Sequence, residues 1–169
     1  TDGPHIHEYL KELVCGAGIE DFVTVGEMSS TSLEHCIRYS SPKEKELSMC
    51  FNFHHLKVDY KDGDKWALAA PDYKRLKELF MQWQLGMQAG GGWNALFWCN
   101  HDQPRIVSRM GDEGDYWKES AKMLAGMIHL MRGTPYIYQG EEIGMLNAHY
   151  SSIGQYRDVE SLNYYQILL

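Results

Sequence analysis

The sequence has no apolar run long enough to span a bilayer, and no basic-then-apolar signal segment at its start. It is short of positive charge: 16 Lys and Arg stand against 23 Asp and Glu, for a net charge of −7 with neutral His. These absences speak against a membrane partner and against nonspecific binding to nucleic acid. Cys15, Cys36, Cys50 and Cys99 include no C-x-x-C pair, and two of them fall in apolar strand segments. Reduced, buried thiols in a cytoplasmic protein are therefore expected. The histidine pairs His5/His7 and His54/His55 have no carboxylate or Cys at ligand spacing, so no metal or other cofactor is expected. Neither G-x-G-x-x-G nor G-K-[ST] occurs, which weakens a nucleotide-binding reading. The chain opens Thr1-Asp-Gly-Pro4 without a Met, and a processed or cut N-terminus is expected.

What is present is a regular alternation of helix and strand, without repeats, in a chain of 169 residues that can bury one sizeable core. Residues 4–14 read as a helix stopped by Gly16 and Gly18. Residues 22–25 form a short β-branched strand. Ser32 is a candidate N-cap for a helix over 33–39, which Ser41-Pro42 ends. A strand over 47–53 follows. Leu76, Leu79, Phe80 and Trp83 recur at helical spacing within 72–87, before the break at Gly90-Gly-Gly92. A strand over 93–99, a Met- and Ala-rich helix over 120–131 and a strand over 134–138 complete the pattern. Such alternation predicts an α/β fold of four parallel strands with crossover helices, in an open sheet or a barrel.

Two strand ends carry the chemistry. Val23-Thr-Val-Gly-Glu27 ends in a carboxylate, and Phe97-Trp-Cys-Asn-His-Asp102-Gln-Pro-Arg105 adds a carboxylate, an imidazole and a guanidinium. A strand fixes such side chains at the rim of a sheet, where a ligand can reach them. Glu27 and Asp102 are thus candidates for acid/base work. Adjacent Glu141 and Glu142 point opposite ways on a strand end and read as structural. Met123, Met127 and Met131 share helical spacing and read as core. Lys-Asp-Gly-Asp-Lys at 61–65 reads as a solvated turn. Trp66, Trp93 and Trp98 read mainly as packing.

Thr24-Val-Gly-Glu-Met28, Asn100-His-Asp-Gln-Pro-Arg105 and the G-T-P-Y-I-Y-Q-G-E-E-I-G-M stretch at 133–145 resemble the α-amylase superfamily of glycoside hydrolases. Their order is similar to its α-glucosidase branch. Phe51-Asn-Phe-His-His-Leu-Lys-Val-Asp-Tyr60 resembles the trehalose-6-phosphate hydrolases; oligo-1,6-glucosidases carry acids where this chain has His54 and Lys57. Replacing an acid by Lys turns a loop that repels phosphate into one that attracts it. The resemblance implies the C-terminal half of a (β/α)8 TIM barrel and retaining hydrolysis of a small phosphorylated disaccharide. It implies Glu27 as general acid/base, Asp102 as the carboxylate that grips the sugar ring, and His101 as its hydrogen-bonding neighbour. His55, Lys57 and Arg105 become candidate substrate-binding residues, Arg105 more through a carboxylate than through the sugar. The G-x-R-x-D motif that holds the nucleophile in this family does not occur within 1–169. The expectation is thus a segment running from about helix 4 to strand 8, with the first half of the barrel and the C-terminal β domain outside it. Such a segment would leave open strand edges, through which two copies could pair as a homodimer. A neutral-sugar α-glucosidase and a non-catalytic sugar-binding half-barrel are the competing readings.

Overall fold

A computed structural model describes residues 2–67 and 69–169. Four strands, β1 (Val25–Met28), β2 (Met49–Asn52), β3 (Asn94–Leu96) and β4 (Thr134–Pro135), lie in one sheet in chain order. All three neighbouring pairs are parallel. Helices α1 (Ile6–Gly16), α2 (Leu33–Ser40), α3 (Tyr73–Gly90), α4 (Ile106–Met110), α5 (Trp117–His129) and α6 (Val159–Leu168) flank and connect them. The register puts Glu27 opposite Phe51, Phe51 opposite Ala95 and Ala95 opposite Thr134, so one row crosses the whole sheet.

Alternation along the strands sorts side chains onto two faces. Cys50 turns toward the helices and packs with Cys36 and Tyr39 of α2 and with Leu79, Trp83 and Met87 of α3. The neighbouring positions, Glu27 and Phe51, take the other face. A second core cluster joins Leu96, Phe97 and Trp98 to Ile106, Val107 and Met110 of α4 and to Leu124 and Ile128 of α5. Trp98 is fully buried, and its indole donates to the Leu124 carbonyl at 2.6 Å. That bond removes the cost of burying the N–H.

Local signals start and stop the helices. The Ser32 hydroxyl accepts from the His35 amide, and the Asp72 carboxylate accepts from the Arg75 amide at 2.9 Å. Gly91, at φ 76°, ends α3 in the left-handed conformation that a glycine adopts without strain. The strands are shorter than their apolar runs. β1 begins at Val25 rather than Phe22, because Asp21 turns at φ 56° and Thr24 spends its amide on the Ser48 hydroxyl. Helix α5 starts at Trp117 rather than Ser120; Asp112 accepts from the Gly114 and Tyr116 amides and so nucleates the chain upstream. Helix α4 and the C-terminal α6, capped by Asp158 on the Ser161 amide, add two elements to the expected pattern. Among the described residues, no helix is long and apolar enough to cross a membrane.

Candidate active site

At the C-terminal end of the strands lies a cleft of about 250 Å³, lined by residues from all four strand ends. Its floor is aromatic. Phe51 meets Phe97 and Tyr136 edge-on at 5.0 and 4.6 Å, and Phe53 meets Phe97 in the same way at 5.0 Å. Such edge-to-face contacts fix ring positions more tightly than area burial alone. Polar groups stand on this floor: Glu27 on the β1 side, with Asn100 and His101 on the loop that follows β3. Glu27 lies within β1 and is exposed. The structure brings Glu27 and His101 to one cleft, whereas Asp102, the carboxylate expected to work with Glu27, is exposed on the same loop as His101 and is not among the lining residues.

The loop from Asn100 to Arg105 is held by several bonds. The Asn100 side chain accepts from the Asp102 amide at 2.8 Å, and the Gln103 amide donates to the Asn100 carbonyl at 3.3 Å. His101 Nε2 lies 3.4 Å from an Asp102 carboxylate oxygen, with both side chains largely exposed. Arg105 does not pair with a carboxylate among the described residues. Its guanidinium lies 4.9 Å over the Tyr138 ring and donates to the Gln139 carbonyl, while its amide donates to the Asn147 side chain at 2.7 Å. Arg105 thus joins the β3 loop to the β4 loop.

His55 is a correction to the expected binding set. It is buried, and its Nε2–H donates to the Phe97 carbonyl at 2.8 Å among the rings of Phe80, Phe97 and Trp98. Burial pushes its pKa down to about 4, so the ring is neutral and belongs to the core beneath the cleft. Lys57 is not among the residues that line the cleft. Its ammonium donates to the Ser29 carbonyl at 2.9 Å and lies 3.4 Å from the Ser30 hydroxyl, in the loop just beyond Glu27. His54 reaches the same loop through the Thr31 carbonyl at 3.0 Å and stacks on Trp83. Lys65 pairs with Glu160 of α6, and Trp66 stacks on Tyr164 of the same helix at 4.5 Å.

Glu141 and Glu142 are structural, but they lie in a 3-10 turn (Glu141–Ile143) rather than at a strand end, and both carboxylates accept amides of the preceding turn. Glu141 accepts from the Tyr138 amide at 3.1 Å and from the Cys99 thiol at 3.6 Å, and Glu142 accepts from the Gly140 amide at 2.7 Å. Burial first, then the neighbouring Glu141 charge, pushes the Cys99 thiol up to about 12. It lines the cleft as an un-ionised group, not as a nucleophile. Sequence reasoning missed Phe51, Tyr136 and Tyr138; the one-residue alternation of Phe51/Phe53 and Tyr136/Tyr138 is the signal that marks them. It also missed the buried pair of Asp59 and Arg109, whose members lie on different elements. Among the described residues no group of three or more His, Cys, Asp or Glu could hold a metal ion.

A parallel β/α arc with a carboxylate-bearing cleft at its strand C-termini is a layout that barrel enzymes use. The chain belongs to the alpha-amylase catalytic-domain family, which it matches over residues 1–165. It is 64% identical over 166 residues to the trehalose-6-phosphate hydrolase of Bacillus subtilis (strain 168), covering 98% of this chain and 30% of that protein. It is 48% identical over 166 residues to the oligo-1,6-glucosidase of Bacillus cereus, with 98% and 30% covered. It superimposes on the crystal structure of Bacillus licheniformis trehalose-6-phosphate hydrolase with a TM-score of 0.94 at 61% identity, covering 99% of this chain and 30% of that one. The chain thus spans about 30% of the length of these relatives and forms an arc of their (β/α)8 barrel.

Proposed function

We propose that this chain is the acid/base-bearing arc of a retaining α-glycoside hydrolase that cleaves trehalose 6-phosphate to glucose and glucose 6-phosphate. The observation that carries the reading is the single cleft that Glu27 and His101 share over an aromatic floor. In this reading Glu27 protonates the departing glycosidic oxygen as the nucleophilic carboxylate bonds to the anomeric carbon and the glycosidic bond breaks, then takes a proton from the incoming water. The water oxygen bonds to the anomeric carbon as the glycosyl–enzyme bond breaks. Asp102, with His101 beside it, grips the hydroxyls of the sugar ring as positive charge develops on it. The nucleophilic carboxylate belongs to a G-x-R-x-D strand outside these 169 residues.

The phosphorylated substrate is supported by two facts. Identity falls from 64% to 48% between the trehalose-6-phosphate hydrolase and the neutral-sugar relative. The exposed ammonium of Lys57 also reaches the loop that follows Glu27. A neutral-sugar α-glucosidase is the second reading; the ammonium of Lys57 already bonds the Ser29 carbonyl, which leaves it less free for phosphate. The complete protein carrying this segment decides between them. Lys57→Ala should raise KM for trehalose 6-phosphate about tenfold or more relative to a neutral aryl α-glucoside, as one charge-assisted phosphate contact is worth about 1.5–3 kcal/mol. An equal change on both substrates assigns Lys57 to loop support alone and favours the neutral-sugar reading. Glu27→Gln should remove most turnover on trehalose 6-phosphate and much less of the glycosylation step on an activated aryl glucoside, whose leaving group needs little proton assistance.

A further inference from the structure

A buried ion pair lies outside the set of residues that line the cleft. Arg109 of α4 and Asp59 are both nearly buried, with side-chain exposures of 6% and 5%. Two parallel bonds join them, Nε to Oδ2 and Nη2 to Oδ1, each at 2.7 Å. This fork geometry is one that Arg makes and Lys cannot. The remaining donors leave the pair for two different loops. Nη2 also bonds the Leu56 carbonyl in the turn that holds Lys57, and Nη1 donates to the Gln103 side-chain oxygen at 2.9 Å. Tyr60 covers the guanidinium, its ring 5.6 Å away.

Two loops therefore meet on one side chain. Gln103 directly follows Asp102 in the loop between β3 and α4. Leu56 directly precedes Lys57, whose ammonium holds the Ser29 carbonyl just beyond Glu27. The path Ser29, Lys57, Leu56, Arg109, Gln103 links the loop after Glu27 to the loop of Asp102. A buried charge pair is weak evidence for net stability, because desolvation offsets much of its attraction. It does impose a unique geometry on whatever its spare donors grip.

We propose that Arg109, oriented by Asp59, is a positioning residue that sets the Asp102 loop relative to Glu27 through its bond to Gln103. The inference rests on the glycosidase reading above. It implies that losing the bond harms every substrate with the same ring in the cleft, phosphorylated or not, because Asp102 acts on the ring and not on the phosphate.

The test uses the complete protein. Gln103→Met keeps side-chain length but removes the acceptor, while leaving the Asp59–Arg109 pair intact. It should lower kcat/KM about tenfold on trehalose 6-phosphate and equally on an aryl α-glucoside, since small misplacements of a reacting site are costly. The unfolding midpoint should fall only modestly, because Arg109 Nη1 loses one acceptor, and amide exchange across 100–105 should quicken. Gln103→Glu restores an acceptor and should recover most of the activity. In an Arg109→Lys background, Gln103→Met should cost nothing further. Wild-type kcat/KM and exchange in Gln103→Met would overturn the proposal. So would a Gln103→Glu variant as impaired as Gln103→Met, or losses that multiply in the double variant. If the unsubstituted protein shows no Glu27-dependent hydrolysis of either substrate, the functional reading itself falls. The exchange data then still report whether Arg109 holds the loop through Gln103.

Discussion

Individual residues here take their roles from what surrounds them rather than from their type. His55 and His101 have the same side chain, yet one lies in the core and the other on the cleft. Burial, partly offset by the bond to Phe97 and reinforced by the Arg109 and His54 charges, depresses the His55 pKa from 6.5 to about 4. The unfolded chain binds a proton there below about pH 6.5, whereas the folded chain does not until about pH 4. His55 therefore contributes stability that is present above pH 6.5 and is lost as the pH falls toward 4. The loss attributable to it is roughly 3 kcal/mol at most. Denaturant unfolding of the complete protein between pH 7 and 4 should show a steeper loss in the wild type than in His55→Gln, which keeps a donor for the Phe97 carbonyl but does not titrate. Parallel curves would show that His55 titrates alike in both states.

At the scale of elements, the helices follow their local signals and the strands follow their neighbours. Asp72 was legible as the start of α3, and its carboxylate accepts the Arg75 amide. Asp72→Ala should cost about 1 kcal/mol of stability with no effect on the cleft. Chemical denaturation checks the first part; unchanged KM and kcat in the complete protein check the second. The strands were placed in the right order, but their ends were misread by up to several residues. Apolar runs such as 93–99 continue past the ladder, because Phe97, Trp98 and Cys99 are buried by packing against helices and the floor of the cleft instead of by strand pairing. Helix α4, of five residues, carries too little periodicity to be seen in sequence. It nonetheless bears Arg109.

At the scale of the molecule, β1 and β4 each pair on one side only among the described residues, with Val23, Val25 and Ile137 exposed. Unpaired edges of this kind invite pairing with another chain. The 169-residue segment expressed alone should elute as a dimer or larger species in light-scattering chromatography. It should also fail to hydrolyse an aryl α-glucoside, since its sequence holds no G-x-R-x-D nucleophile for the retaining route. A monodisperse monomer would count against the first expectation, and Glu27-dependent turnover against the second.

The sequence alone determined the parallel α/β arc, the order of its strands, and the placing of Glu27 and of the 100–105 loop at the C-terminal ends of two of them. Those features follow from periodicity, caps and strand-end placement, all of them local. Tertiary structure alone decided that His55 is core, that Arg105 bridges two loops, and that Lys57 supports the loop behind Glu27. It also decided that Asp59 and Arg109, 50 residues apart, close a buried fork. No local pattern encodes these outcomes, because each depends on which side chains the folded chain brings within hydrogen-bond reach, and on how much water it leaves around them.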